Sequence, residues 1–386
     1  MEKSVSRKRN RREEVDRISG LPNSVLLRIL SFLPVKEAVA TSLLSKKWKR
    51  LWLSLPTLDL NRVYFGTLPF FYRFVSKVLK RVDLKSVENS KGELLHLELH
   101  LRRLDGYKLP SSVLLANNIR VLKLTEVKVG TLSRVNLPSL EILDLDQIDF
   151  PDYRSLEMLL SSSPLLKDLV LKILYGNLNR PLNIGRLNHL VTAEVPQCLL
   201  PLKVLSNVSF LRLCWTPDLW SFSDDMPTFH NLTHLECVAG EWTRMVNCFR
   251  NFPKLEKLVI SEWPFYDKVD SSFPPEPILD VPPCVSLHLK EFTLLYLRGP
   301  GSKSEMLKYI TENAGVLRTL TIKGVGNGDE GKLRMLQKLA AKRRGSESCS
   351  LKVSWPTLKY LHNGDEGKLR MLQKLAAKRR SESAVW

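Results

Sequence analysis

One pattern returns ten times in this chain and limits what it can fold into: apolar-x-x-apolar-x-apolar. It starts at Leu94 (LLHLEL), Ile119 (IRVLKL), Leu140 (LEILDL), Leu166 (LKDLVL), Leu190 (LVTAEV), Val208 (VSFLRL), Leu232 (LTHLEC), Leu255 (LEKLVI), Leu289 (LKEFTL) and Leu317 (LRTLTI). Successive starts lie 18 to 34 residues apart. The alternation within the pattern is that of a strand, whose side chains point to opposite faces in turn. Positions 1, 4 and 6 then turn inward, and positions 3, 5 and 7 turn outward onto a shared sheet face. A single copy has no means of covering its own apolar side, so neighbouring copies must stack.

Most of these intervals fit the period of a leucine-rich repeat, and they predict an α/β solenoid with one parallel sheet. An early strand at LPTLDL (from Leu55) caps the array, and FFYRFVSKVLKRV (Phe70–Val82) follows it as a helix. The asparagine usual after such a template is missing, which predicts an irregular array with variable convex segments. An independent α/β domain with parallel strands is the alternative, and ten similar strands argue against it. The outward positions include His96, Glu98, His100, Lys123, Asp144, Asp146, Arg212, His234 and Glu236. Each taken singly is equally explained as a solvated strand residue. Together their mixed charge suits recognition of a protein or a small molecule.

Ahead of the array, DRISGLPNSVLLRILSFLPVKEAVATSLLSKKWKRLWLSLP (16–56) reads as helices. Pro22 suits a first helical turn and Leu33-Pro34 ends the helix. At 100° per residue, Asn23, Ser24, Leu27, Arg28 and Ser31 share one wedge. Val25, Leu26, Ile29, Leu30, Phe32 and Leu33 fill the opposite side, more than one helical neighbour requires. A second helix is expected from Val35 to about Ser45, and a third around Trp48, Leu51 and Trp52. About 40 residues do not make a self-sufficient core without a metal, disulfide or partner. The surplus apolar surface therefore goes either to a protein partner or to the rest of this chain.

The ordered run Leu21-Pro22, Ile29-Leu30, Leu33-Pro34, Leu44-Ser45-Lys46-Lys47-Trp48 and Leu51-Trp52 resembles an F-box. That resemblance implies binding to a Skp-type adaptor and, through it, a cullin. It also implies that Leu21, Pro22, Leu26, Ile29, Leu30, Leu33, Pro34 and Trp48 are the adaptor contacts. Further on, Val281-Pro282 with Cys284, Lys308-Tyr309-Ile310, Glu312-Asn313-Ala314, the pair Leu317 and Leu320, and a KLxML-type helix resemble an FBD domain. The whole order is similar to that of plant F-box/LRR/FBD proteins. It implies the target-binding subunit of an SCF-type ubiquitin ligase, recognising an unknown protein substrate and performing no catalysis itself. The expected divisions are a basic disordered tail (1–15), the F-box (16–60), leucine-rich repeats (61–280), an FBD-like block continuing the array (281–351) and a partly duplicated tail (352–386).

Other classes fare worse. No run of 18 apolar residues exists, so no membrane span is expected. The six cysteines form no CxxC pair and read as reduced thiols of a protein of the nucleus or cytoplasm. HExxH, GxSxG and P-loop motifs are absent, and His230 and His234 lead into a strand, where i and i+4 are not paired as ligands; no cofactor or metal is expected. Gly326-Asn-Gly328-Asp-Glu-Gly331 fits GxGxxG, but Asp329 and Glu330 would stand where a pyrophosphate needs backbone N–H groups. The net charge of +19 raises an alternative, a nuclear nucleic-acid-binding protein. Its distribution weakens that reading. NGDEGKLRMLQKLAAKRR occurs twice, at 327–344 and 363–380, and each copy carries six basic residues against two acidic. Residues 1–14 carry six against three, so these segments hold more than half the excess.

The first copy follows a template strand, and Leu333, Leu336 and Ala340 make one face of a short amphipathic helix. The second lacks that strand and reads as a duplicate without a structural place. Deleting residues 356–386 is expected to leave adaptor binding and the thermal denaturation midpoint unchanged; a large loss of either would show that the second copy packs.

Overall fold

The computed structural model describes residues 18–61, 63, 67–81, 94–101, 107–176, 180–196, 199–214, 226–238, 242–261, 277–278, 280–297, 302–324 and 349–354. The expected N-terminal tail, the GxGxxG turn and both copies of the duplicated stretch, with the helix assigned to Leu333, Leu336 and Ala340, lie outside the described residues. The chain forms two units, residues 1–163 and 164–386.

The first unit opens with α1 (Asn23–Leu30), α2 (Val35–Ala40) and α3 (Trp48–Leu51). Proline starts the first two in the same way. Pro22 and Pro34 occupy the cap positions in extended conformation, so their lack of an N–H costs nothing there. The Pro22 carbonyl accepts from the N–H groups of Val25 and Leu26, and the Pro34 carbonyl from those of Glu37 and Ala38. α2 is shorter than its sequence predicts and tightens into a 3-10 turn at Thr41–Leu43. The Thr41 hydroxyl donates to the Ala38 carbonyl (2.6 Å) and the Ser42 hydroxyl to that of Val39 (2.5 Å). Such back-bonding competes with regular helix. Leu26, Leu30, Val35, Ala38, Trp48, Leu51, Trp52 and Leu55 are buried, and α2 packs beside the first strand of the array.

Four parallel strands follow in chain order: β1 (Thr57–Asn61), β2 (His96–His100), β3 (Val121–Thr125) and β4 (Ile142–Asp146), with α4 (Leu68–Arg81) after β1. Register is uniform. Leu58, Leu97, Leu122 and Leu143 are lateral neighbours, and so are Leu60, Leu99, Leu124 and Leu145. The short β5 (Ile148–Asp149) and α5 (Tyr153–Ser161) complete the unit. The Asp152 side chain caps α5 by accepting from the Ser155 N–H at 2.8 Å.

The second unit continues the pattern with β6 (Asp168–Leu171), the short β7 (Leu174–Tyr175), β8 (Thr192–Pro196), β9 (Phe210–Cys214) and β10 (His234–Val238). After α6 (Trp242–Cys248) come β11 (Lys257–Ser261), α7 (Pro283–Leu287), β12 (Glu291–Leu297), α8 (Ser302–Asn313), β13 (Thr319–Gly324) and β14 (Ser350–Ser354). Apart from β7, these strands lie side by side, parallel and in chain order, from β6 to β14. This is the arrangement of an α/β repeat array.

All ten templates place positions 1, 4 and 6 in the core. Leu55, Leu58 and Leu60 do the same, so the segment at Leu55 is a true first copy. The residue three places before the template supplies a further buried row that the template omits: Ala116, Leu137, Ser163, Leu187, Leu205, Phe229, Phe252 and Ala314. In most of these copies its carbonyl accepts from the N–H at position 1 and turns the chain into the strand. Ser163 is the polar member, and its hydroxyl is satisfied by the Leu159 carbonyl at 2.9 Å.

Position 2 does the joining. Its carbonyl accepts from two successive N–H groups of the next copy: Leu95 from Arg120 and Val121, Ser209 from Thr233 and His234, and Lys290 from Arg318 and Thr319, at 2.8–3.1 Å. The return segments vary as expected, from 3-10 turns (Ser111–Leu115, Leu202–Leu205) to α7 and the longer α8. Pro110, Pro201 and Pro282 cap three of them with ψ of 132–134°.

Leu143 stands fully buried beside the equivalent Leu122. Leu143→Ala is expected to destabilise by about 2–5 kcal/mol, read as a lower urea midpoint. Glu291→Ala, on the outward face of β12, is expected to stay within about 0.5 kcal/mol.

Candidate functional site

Two surfaces carry the residues that the sequence singles out. The first is the helical head. Leu26, Leu30 and Trp48, expected as adaptor contacts, are enclosed in the head's own core. The indole N–H of Trp48 donates to the Ser19 hydroxyl at 3.0 Å, and the Lys47 ammonium donates to the carbonyls of Ser19 (2.7 Å) and Leu21 (2.6 Å). These bonds tie the start of the head to α3. Leu21, Leu33 and Pro34 are half-buried, while Pro22 and Ile29 are exposed. Val25 and Ile29 are four apart on α1 and so share a face. The most exposed apolar side chains of the head are Phe32 (77%), Leu43 (90%) and Leu44 (67%). None of these three is in the expected contact set, although Phe32 lies on the apolar side of the helical projection and Leu44 within the motif.

The second surface is the outward face of the strands. In the first unit, His96, Glu98, His100, Lys123, Asp144 and Asp146 are brought together there, and the register places Asp59, Glu98, Lys123 and Asp144 in one lateral row. Glu98 is the hub. Its Oε1 meets Lys123 Nζ at 2.6 Å and His96 Nε2 at 2.7 Å, and its Oε2 meets His100 Nε2 at 3.4 Å. Burial opposes ionisation of Glu98, but hydrogen bonds with Lys123, His96 and His100 outweigh it and hold the carboxyl at about 2. Burial and the neighbouring Glu98 charge push Asp59 the other way, above the usual range.

In the second unit Arg212 bridges two carboxylates in another lateral row. Its Nη1 lies 3.1 Å from Glu194 Oε2, and its Nε lies 2.5 Å from Glu236 Oε2. His234 Nε2 stands 3.1 Å from Glu236 Oε1, off the hydrogen-bond direction, with its ring edge-on to Phe210. The Thr192 hydroxyl donates to Asp168 at 2.6 Å. Asp59 and Glu194 were missed in the sequence, yet both occupy position 5 of a template copy, the position of Glu98 and Glu236.

Three of the described cysteines are enclosed in the core. Cys237, Cys248 and Cys284 are buried, none in a disulfide, and burial pushes the thiols of Cys237 and Cys284 up to about 12. Among the described residues no helix is long and apolar enough to cross a membrane.

His234 and Arg212 together hold Glu236 below the usual carboxylate range, against the opposing effect of burial. A folded value below the unfolded one means that the stability Glu236 supplies is complete above about pH 4.5 and fades as pH falls through the lower folded value. Glu236→Gln is therefore expected to lower the melting temperature at pH 7, by a margin that shrinks as pH falls below about 4.5. Arg212→Met is expected to raise the Glu236 titration midpoint, followed by carboxyl NMR.

Three family models match the chain: F-box domain at residues 18–60, Leucine Rich Repeat at 139–164 and FBD at 276–322. Among curated proteins, the F-box/FBD/LRR-repeat protein At4g26340 of Arabidopsis thaliana is 27% identical, over 87% of this chain and 99% of its own length. The FBD-associated F-box protein At4g10400 of the same plant is 28% identical, over 88% of this chain and 100% of its own length. The matches keep the order of head, parallel array and C-terminal block described above, and in that order the chain is similar to the F-box/FBD/LRR-repeat proteins of Arabidopsis thaliana.

Proposed function

We propose that this chain is the substrate-recognition subunit of an SCF-type (Skp–cullin–F-box) ubiquitin ligase. Its head binds the Skp-type adaptor and through it a cullin, while an α/β solenoid made by the repeats and the FBD block holds a protein target. Assembly takes place in the nucleus, the cytoplasm or both. The chain contributes no covalent chemistry. Its part is to hold a target lysine near a ubiquitin-loaded conjugating enzyme, where proximity and orientation raise the rate.

The observation that carries this reading is the head's division into two apolar sets. Leu26, Leu30 and Trp48 close its core, and Val25, Ile29, Phe32, Leu43 and Leu44 remain exposed in a segment that matches the F-box model. So much exposed apolar surface on so small a body fits a lasting protein contact. Leu21, Pro22, Ile29, Leu33 and Pro34 then touch the adaptor together with Phe32, Leu43 and Leu44. Leu26, Leu30 and Trp48 act by holding that surface in shape. Each unit offers outward residues to a target: His96, Glu98, His100, Lys123, Asp144 and Asp146 in the first, and Arg212, His234 and Glu236 in the second.

Titration calorimetry of a purified Skp-type adaptor against the full chain tests the proposal. Wild type is expected to bind, and Ile29→Asp with Leu44→Asp is expected to weaken binding at least about tenfold at an unchanged melting temperature. Trp48→Ala is expected to weaken binding only as it unfolds the head. A folded wild type that does not bind at micromolar adaptor would overturn the reading.

A further inference from the structure

We propose that Asp59, Glu98 and His100 form a binding site for a divalent cation of the zinc type, on the outward face of the first unit. β2 reads HLELH, and alternation with the buried Leu97 and Leu99 sets His96, Glu98 and His100 on one face. β1 runs alongside in parallel, with Asp59 opposite Glu98 and Asn61 opposite His100. One donor atom from each of Asp59, Glu98 and His100 lies within 4.8 Å of the other two. Donors around a tetrahedral zinc at about 2.0–2.2 Å stand roughly 3.4 Å apart.

Three details favour a cation here over a self-contained ion-pair network. Asp59 Oδ1 is occluded from solvent and has no hydrogen-bond donor among the described residues. An occluded carboxylate oxygen needs a donor or a positive charge. Glu98 divides its oxygens: Oε1 takes Lys123 and His96 at short distance, while Oε2 meets His100 only at 3.4 Å. His100 Nδ1 is 3.0 Å from the Thr125 hydroxyl. A shift to the tautomer with Nδ1–H donating to that oxygen releases the proton by which Nε2 bonds Glu98 Oε2 and gives Nε2 a lone pair for the ion. Metal-binding imidazoles are commonly oriented by such a bond from the other ring nitrogen. Nitrogen and two carboxylates suit a first-row divalent ion, and the partial exposure of His100 leaves a side open for water or a group from a bound target. Lys123, already on Glu98, is the competing cation and sets the affinity. The proposal stands apart from adaptor binding, because Glu98 and His100 lie beyond the F-box match and Asp59, on β1 at its end, is not among the adaptor contacts.

The test is zinc titration of the full-length chain, free of any histidine tag and dialysed against chelator, by calorimetry with metal analysis after re-dialysis. One equivalent is expected. Asp59→Asn and His100→Gln are each expected to weaken binding at least about tenfold, and Thr125→Val about tenfold. His234→Gln, in the other unit, is expected to leave it unchanged. Lys123→Met removes the competing ammonium and is expected to tighten binding, an outcome that misfolding does not imitate. No saturable binding by wild type, equal binding by the Asp59→Asn and His100→Gln variants, or no tightening by Lys123→Met would each overturn the site.

Discussion

A single carbonyl per repeat, that of template position 2, governs how the strands stack. It accepts two successive N–H groups from the next copy, as Leu95 does from Arg120 and Val121. A shared acceptor of this kind starts each strand at a fixed offset from its predecessor. A slip of one residue would turn the whole leucine set outward. With offset fixed, Leu58, Leu97, Leu122 and Leu143 meet as one buried row, and each copy covers the apolar side of the last. The same offset aligns the outward side chains, so the charge rows of both units follow from the backbone pairing that builds the core.

The strands and their inner face were legible in the sequence because their pattern is local. Six residues suffice to show which of Leu94, Leu97 and Leu99 point inward. The buried row three places upstream was not, because its members, Ala116, Leu137, Ser163 and Phe229 among them, have no common chemistry. What they share is a turn: in most of these copies the row's carbonyl receives the first N–H of the template. The extent of α2 was misjudged for a related reason. Helical propensity does not register that Thr41 and Ser42 find their own carbonyls.

The functional surfaces divide in the same way. The motif at 21–52 marks the head, but a motif does not separate residues that touch a partner from residues that hold the touching surface in place. The structure assigns Leu26, Leu30 and Trp48 to the core and leaves Phe32, Leu43 and Leu44 outside. On the strands, the outward histidines and carboxylates could be read from alternation alone. Which of them meet could not, since Asp59 reaches Glu98 across a helix and a long connection. Lateral neighbours in a parallel array are a whole repeat apart in sequence, and with the copy at Leu55 the intervals here run from 18 to 39 residues.

The separation of inward from outward positions also bears on how such a chain can change over generations. Every residue of the outward rows stands on a strand held by backbone bonds and by leucines on the opposite side. Replacing Lys123 or Arg212 alters the lettering of the surface and leaves those supports untouched. Insertions are absorbed by return segments that already range from a 3-10 turn to a helix of 14 residues. A lineage can therefore rewrite what this surface recognises, one position at a time, without first finding a new fold.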